Sequence, residues 1–207
     1  MTSAYDYLTV TLGRGRSAWQ DYAARMNTEG AAEIARAGGD LVGLFAPQLG
    51  FASNEAAILV CWPTGVRGLG SSLPGHGATL SGPVDALTPT LRPGEGQALR
   101  IGGIYVHRWF VVDGDQTERF IDLSGRAWGG FEGAYETEIF GLFAAAPSAE
   151  DIALGQARLL LLTWYASHGV WEASREQTID PEGLFVRRHA LTRSTIGRSS
   201  IWVPRQA

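Results

Sequence analysis

The feature that most constrains this chain is an internal repeat. Gly43-Leu44-Phe45-Ala46 recurs 98 residues later as Gly141-Leu142-Phe143-Ala144, and Tyr7 falls on Tyr105 at the same offset. The apolar run that follows each match ends in Cys61-Trp62 in one half and in Thr163-Trp164 in the other. Because these identities stay in register with the predicted elements, they indicate that the 207 residues contain a duplicated unit.

Both halves begin with the pattern strand, helix, strand, strand. In the first half, residues 7–12 alternate as a half-buried strand does, and Ser17 with Gln20 forms a capping-box pattern at a helix start. That helix is expected to be interrupted near Gly30 and to end at Gly38-Gly39. Two short apolar runs bounded by Pro and Gly, residues 41–46 and 57–62, are predicted as the next strands.

The second half repeats this order and continues it. Strands are predicted at 104–112, 138–144 and 158–165, with a helix between the first two that begins at Asp115 and reaches Phe131. A short helix over 167–175 and a long strand from Leu184 to about Thr195 follow. This order, β-α-β-β-α-β, is that of a ferredoxin-like unit.

The first half lacks a counterpart to the second helix. Residues 63–83 contain six glycines, so we predict a loop there, followed by a last strand over 84–91. The predicted organisation is a first ferredoxin-like unit at 1–91, a linker at 92–100 and a second unit at 101–207. The fold class is α+β: two antiparallel sheets with helices on one face, packed sheet to sheet into an α/β barrel whose inward faces line a cavity.

Composition excludes several function classes. All 17 basic residues are Arg, so an enzyme that needs a Lys Schiff base and a P-loop NTPase are both excluded. The Arg-for-Lys bias is typical of a bacterial-like composition. A net charge of −4 without a basic tract argues against nucleic acid or an anionic membrane as partner.

Cysteine and targeting patterns give further expectations. Cys61 is the one cysteine, so an intrachain disulfide is excluded, no metal site is predicted, and its apolar surroundings favour a small buried side chain. Residues 1–6 lack the features of a signal peptide, and no apolar run is long enough to span a membrane, so we expect a cytoplasmic protein. The incomplete first unit leaves apolar surface, which predicts a homodimer.

The second half resembles a NIPSNAP-type protein. The resemblance rests on Tyr105 to Phe110, on Phe131-Glu132-Gly133 with 139–143, on 161–167 with 171–175, and on 188–192. It covers 104–196 well and 5–91 mainly through the repeat. It implies the dimeric α/β-barrel superfamily, which includes cofactor-free monooxygenases, polyketide cyclases, lactone isomerases and haem-binding enzymes, and it does not choose among them.

Two alternating sets of side chains on the strand 104–112 are candidates to face the cavity. If Tyr105, His107 and Trp109 point inward, His107 is an acid/base between aromatic walls, and the alternative is a hydrogen-bonded core histidine. If the register is one residue different, Val106, Arg108 and Phe110 point inward, and Arg108 becomes a clamp for a carboxylate or an enolate. Both readings are open at this point.

Other candidates have equally plain alternatives. His168, with Glu172 four residues on, is a ligand-binding candidate or a surface contact. Arg188 and His189 are placed on the last strand as cavity-facing candidates, and the alternative for His189 is a strand residue with one hydrogen bond. Trp164 is a candidate wall of the cavity. Glu132, Glu136 and Glu138 are interpreted as solvated or arginine-paired, and His76 in the glycine-rich loop is expected to be exposed.

The functional hypothesis is therefore a barrel that binds a small aromatic or polyketide-like molecule. It includes a cofactor-free isomerase, cyclase or monooxygenase, with His107 and Arg108 as the catalytic candidates. The alternatives are a non-catalytic binding or interaction protein, and a haem-binding barrel that uses one of the histidines. No cofactor is required by the first hypothesis, and whether the protein is an enzyme is left open.

Overall fold

The computed structural model describes residues 3–68, 75–176, 180 and 182–204. Contacts divide the chain into two compact units, Met1–Thr88 with Ser199–Ala207, and Pro89–Arg198. The predicted linker, residues 92–100, falls inside the second unit. The secondary structure is mixed, with antiparallel strands that carry helices on one face, so the predicted α+β class is confirmed.

The first unit has its strands in the order β2-β3-β1-β5, all antiparallel. Its elements are β1 Ala4–Thr11, α1 Ala18–Arg25, a π-helical turn Met26–Gly30, α2 Ala31–Arg36, β2 Asp40–Pro47, β3 Glu55–Trp62, β4 Thr79–Leu80 and β5 Asp85–Pro89. The two-residue β4 pairs with the end of β1, and Ser200 to Trp202 pair with β2. The π-helical turn is the interruption expected near Gly30.

The core of the first unit lies between its sheet and its helices. Leu8 and Val10 project from β1 against Tyr22 and Met26 of the helical segment, and Ile58 lies beside them on β3. All five side chains are at most 2% exposed, so this space is filled with side chains. The period-2 alternation of β1 therefore corresponds to one face buried under the helices.

Two expectations for the first unit were wrong. The Ser17 side chain makes no capping hydrogen bond, although α1 does begin after it. His76 is mostly buried rather than exposed, with its imidazole nitrogens 3.4 and 3.6 Å from carboxylate oxygens of Glu29 and Glu33. Between Trp62 and Asp85 the described residues form turns and β4 and contain no helix, and residues 69–74 of the predicted loop lie outside the described part.

The second unit has the strand order β9-β6-β8-β7, the order of a ferredoxin-like sheet. Its elements are β6 Ile104–Asp113, a 3₁₀ turn Gly114–Gln116, α3 Thr117–Ala134, β7 Thr137–Ala145, α4 Ala149–Leu154, β8 Gln156–Tyr165, α5 His168–Ser174, α6 Leu184–His189 and β9 Thr192–Trp202. The predicted strands on β6, β7 and β8 are confirmed within two residues at each end. No helix in the described part of the chain is long and apolar enough to cross a membrane.

The predicted long strand from Leu184 was wrong, because residues 184–189 form α6 and β9 begins only at Thr192. The carboxylate of Asp180 accepts hydrogen bonds from the backbone N–H groups of Leu184, Phe185 and Val186 and thereby starts the helix. Arg188 and His189 consequently lie on a helix instead of a strand. Helix α4 was also missed, although Ser148 and Asp151 form a complete capping box at its start.

Candidate functional site

Strand β6 presents two different faces, and the structure shows which one meets the helices. Val106 packs with Phe131 and Trp171 of α3 and α5, and Phe110 packs with Phe120 and Trp128 of α3. Because side chains alternate along a strand, Arg108 lies on this same helix-covered face. Of the two alternating sets of β6 side chains, the set that faces the helices is Val106, Arg108 and Phe110.

The opposite face of β6 carries Tyr105, His107 and Trp109. The Tyr105 hydroxyl accepts from the backbone N–H of Arg100 at 2.6 Å and donates to its carbonyl at 3.0 Å. Trp164, which pairs with Tyr105 across the strands, donates its indole N–H to the Gly102 carbonyl at 2.7 Å, and the Arg100 guanidinium stacks 3.9 Å from its ring. Through these hydrogen bonds, Tyr105 and Trp164 hold the backbone of Arg100 and Gly102, just before β6, in place.

His107 is fully buried on that second face. Burial, with a smaller contribution from the nearby charge of Arg198, lowers the pKa of His107 from its ordinary 6.5 to about 3. The imidazole is therefore neutral at physiological pH. This environment favours the core-histidine reading of His107, while its catalytic role stays a prediction.

A cavity of about 410 Å³ lies between the sheet and the helices of the second unit. Its walls are largely aromatic, formed by Phe110, Trp128, Phe131, Tyr135, Trp171 and Phe185. The ring of Phe131 packs 5.4 Å from Tyr135 and 5.5 Å from Phe185, so these walls support one another. The size and lining are those of a pocket for a flat organic molecule.

The charged groups that line this cavity are cationic. Arg108, Arg175 and Arg188 line it, and the described lining residues include no carboxylate. The Arg188 guanidinium is 8% exposed and lies 5.1 Å from the Phe185 ring and 5.2 Å from the Phe110 ring. Burial, reinforced by the charge of Arg108, lowers the pKa of Arg188 to about 10, so the side chain still carries its charge at neutral pH.

Three buried donors on residues that line the cavity have no hydrogen-bond acceptor among the described residues. They are Nε of Arg188 and the indole Nε1 atoms of Trp128 and Trp171. A buried N–H without an acceptor costs about 1–3 kcal/mol, so the fold carries this cost three times around one cavity. The Tyr165 hydroxyl, by contrast, is already hydrogen-bonded to Ser174.

The predicted site residues are only partly brought together. Arg108, Arg188 and His189 line the cavity, whereas Tyr105, His107, Trp109 and Trp164 lie on the other face of the sheet. His168, half-buried at the start of α5 with its ring 6.2 Å from that of Trp171, is outside the lining in the described part of the chain. Trp128 and Trp171 were missed, because an unpaired indole N–H leaves no mark in a sequence.

A haem bound through histidine does not fit this cavity. Such a haem needs an imidazole nitrogen directed into the apolar interior. Of the described lining residues, His189 is the histidine, and it is exposed at the rim on the last turn of α6. The interior is occupied instead by Arg188 among phenyl rings.

No protein-family model matches the sequence, and no curated protein sequence is similar to it. Solved structures share its fold. A monooxygenase-like protein from Fusobacterium nucleatum superposes with a TM-score of 0.61 at 8% identity, covering 98% of this chain and 93% of its own. An anthrone oxidase-like protein gives a TM-score of 0.58 at 12% identity, with 97% and 92% covered.

A heme-binding protein from Thermus thermophilus is similar over 98% of this chain and 92% of its own, with a TM-score of 0.53 and 8% identity. The three neighbours are thus a monooxygenase-like, an anthrone oxidase-like and a heme-binding protein. At such identities they establish the fold of this chain, over nearly its whole length.

Proposed function

We propose that this protein binds a small aromatic molecule that carries an oxyanion, in the cavity between the helices and the sheet of its second unit. The observation that carries the proposal is the lining of the cavity, in which aromatic walls surround the charge of Arg188 and the described lining residues include no carboxylate. Arg108 adds a second positive charge on the same side. A carboxylate, phenolate or enolate on a flat ring system satisfies both features.

Stabilising the conjugate base of such a ligand is also the step that a cofactor-free isomerase, cyclase or monooxygenase needs. Two guanidinium groups in a largely desolvated cavity lower the free energy of an enolate relative to its neutral ketone. The solved neighbours include monooxygenase-like and anthrone oxidase-like proteins, which supports a substrate of this class, and a NIPSNAP-type relationship is part of the proposal. His189, exposed at the rim, is placed to exchange the proton with solvent.

The binding proposal is tested by calorimetric titration with 2-naphthoate and with its neutral analogue 2-naphthalenemethanol. We expect the carboxylate to bind more tightly, and Arg108→Gln to weaken it by about 10- to 100-fold, because a hydrogen bond to a charged group contributes about 1.5–3 kcal/mol. Arg126→Gln is the matched control, since Arg126 pairs with Asp122 and Glu182 on the exposed side of α3. Equal affinity for both probes, or no binding of either, contradicts the proposal.

The catalytic form of the proposal has a separate test. Anthrone has an acidic methylene group, and stabilisation of its enolate accelerates exchange of those protons with D₂O, which proton NMR measures directly. We expect the wild-type protein to accelerate exchange and Arg108→Gln to lose about 100-fold or more of that acceleration. Naphthoate binding without any exchange acceleration indicates the alternative, a non-catalytic binding protein.

We also propose that the protein is a homodimer. Exposed apolar side chains, such as Ile152 at 68% and Ile101 at 73%, provide surface that a second copy would cover. Light scattering at tens of micromolar is expected to give twice the 22.2 kDa chain mass. A monomeric mass contradicts this part of the proposal.

A further inference from the structure

The chain that enters the second unit, residues 90–97, forms what we call the strap. Its backbone runs along β7, where Thr90 donates its N–H to the Leu142 carbonyl at 3.0 Å and Leu142 donates to the Arg92 carbonyl at 3.2 Å. Gly141 of β7 allows this approach, since a Cβ there would lie 2.7 Å from Cδ of Pro93. The strap is therefore a packed part of the unit and not a loose linker.

Arg92 fastens the strap to α3 through two parallel hydrogen bonds. Its Nη1 donates to Oε1 of Glu132 at 2.7 Å and its Nη2 to Oε2 at 3.2 Å. The same pair holds the backbone of Ile139, whose N–H donates to Glu132 at 2.8 Å and whose carbonyl accepts from Arg92 at 3.2 Å. Ile139 lies where the register between β7 and β8 shifts, so these side chains replace strand-to-strand bonds there.

The Arg92 guanidinium also lies against a wall of the cavity. Its Cζ is 5.1 Å from the centre of the Trp128 ring system. Trp128 and Ile139 both line the cavity, so the Arg92–Glu132 pair contacts two wall residues from behind. Because the pair is partly buried, with side chains 35% and 20% exposed, it is less screened by solvent than a surface ion pair.

We propose that Arg92 is a positioning residue for ligand recognition, which it serves by holding the Trp128 ring in place as a wall of the cavity. The inference rests on the proposed function of that cavity. A buried indole N–H without an acceptor gains by rotating toward water or a backbone carbonyl. The cation over the ring and the fixed backbone at Ile139 oppose that rotation, so the aromatic wall is in place before the ligand arrives.

A double-mutant cycle with 2-naphthoate as probe tests this coupling. Arg92→Gln and Trp128→Phe are each expected to weaken calorimetric affinity by about tenfold, because either change leaves a wall that packs less closely on the aromatic probe. If Arg92 acts through the Trp128 side chain, the double variant is no weaker than Trp128→Phe alone. Arg126→Gln, the same substitution on the exposed side of α3, is the matched control and is expected to leave affinity unchanged.

Additive losses in the double variant overturn the positioning role and leave the proposed function standing, because they show that Arg92 acts independently of the indole. An unchanged affinity in Trp128→Phe also overturns it. If the wild-type chain does not bind 2-naphthoate, the proposed function fails and the positioning role with it. Should Arg92→Gln not melt cooperatively, Glu132→Gln in the same cycle removes the charge of the partner while keeping its size.

Discussion

At the position where β1 of the first unit carries Val10, β6 of the second unit carries Arg108, 98 residues later. Across the strand pair, Leu8 faces Ile58 in the first unit, and Val106 faces Thr163 at the matching place in the second. Both sets lie under helices. The first unit fills that space with apolar side chains, whereas the second leaves a cavity with Arg108 and Thr163 in its lining.

Part of the helix–sheet contact is alike in the two units. Tyr22 on α1 corresponds to Phe120 on α3, and Leu44 on β2 corresponds to Leu142 on β7, and each of the four is at most 2% exposed. The difference comes from single positions such as Arg108 and from α5 and α6, which supply Trp171 and Arg188 to the cavity and have no counterpart among the described residues of the first unit. One unit therefore has a solid core under its helices, and the other has a cavity there.

Placing Arg at position 10 and Val at position 108 should give the largest difference in unfolding free energy between the two units. Val10→Arg places an unpaired charge in a filled core, and we expect a loss of about 5 kcal/mol or more in the free energy of unfolding. Arg108→Val places an apolar side chain beside an existing cavity, so its unfolding free energy should stay within about 1 kcal/mol of wild type or rise. Urea unfolding followed by circular dichroism measures both.

Similar losses in these two variants would remove the distinction between a solid core and a cavity. A loss in Arg108→Val as large as that in Val10→Arg would show that Arg108 is part of the packing of its unit. The matched substitutions Val10→Ala and Val106→Ala make the same comparison of unfolding free energies with smaller expected losses. The cost should be smaller at Val106, because it already lines a cavity and its truncation opens no new one.

His107 should make stability depend on pH. Its pKa falls from 6.5 to about 3 on folding, so below pH 6.5 the unfolded chain binds a proton that the native state does not. The contribution of His107 to stability is complete above pH 6.5 and is lost as pH falls toward 3, by up to about 1.4 kcal/mol per pH unit. The stability advantage of wild type over His107→Gln should therefore shrink between pH 6.5 and 5, measured by urea unfolding.

The same variant distinguishes a structural role of His107 from an acid/base role. Because the imidazole lies on the sheet face opposite the cavity, His107→Gln should lower the melting temperature at pH 7 and leave 2-naphthoate affinity unchanged. An intact melting temperature with a 100-fold loss of affinity or exchange activity would instead identify His107 as an acid/base. That result would also show that the second unit uses both faces of its sheet.

We expect Arg188 to contribute to ligand binding and to lower the stability of the fold. Arg188→Met removes a buried guanidinium whose Nε has no acceptor in the described part of the chain, so the melting temperature should stay constant or rise. Affinity for 2-naphthoate should fall by about 10- to 100-fold. Arg187→Met, one residue earlier on the same helix and exposed, is the control. A large melting loss with unchanged affinity would make Arg188 a structural residue.

The sequence predicted the framework of both units better than it predicted the site. Strand β6 was expected at 104–112 and spans Ile104–Asp113, because period-2 alternation is a local property of the chain. Helix α6 was mistaken for a strand, since a helix of six residues is too short to show helical periodicity, and its start depends on the Asp180 cap.

Site prediction had a different limit. Arg108 and Arg188 were identified because a charged residue in an apolar segment is visible in the sequence. The unpaired indoles of Trp128 and Trp171 depend on tertiary structure, because the absence of an acceptor is defined by everything packed around the donor. Arg92 was placed in a linker, and its partner Glu132 lies 40 residues away.

The smallest predicted difference concerns helix starts in the two units. Ser17 precedes α1 without a capping bond, whereas the Ser148 hydroxyl accepts from the Asp151 N–H at 3.1 Å and its own N–H donates to the Asp151 carboxylate at 2.9 Å. Ser148→Ala should therefore cost about 1 kcal/mol in unfolding free energy, and Ser17→Ala no more than about 0.3 kcal/mol. Because Asp151 also accepts from Arg158 at 3.0 Å, part of its arrangement persists without Ser148. Equal losses by urea unfolding would mean that Ser17 caps α1 in solution, and the two helix starts would then be alike.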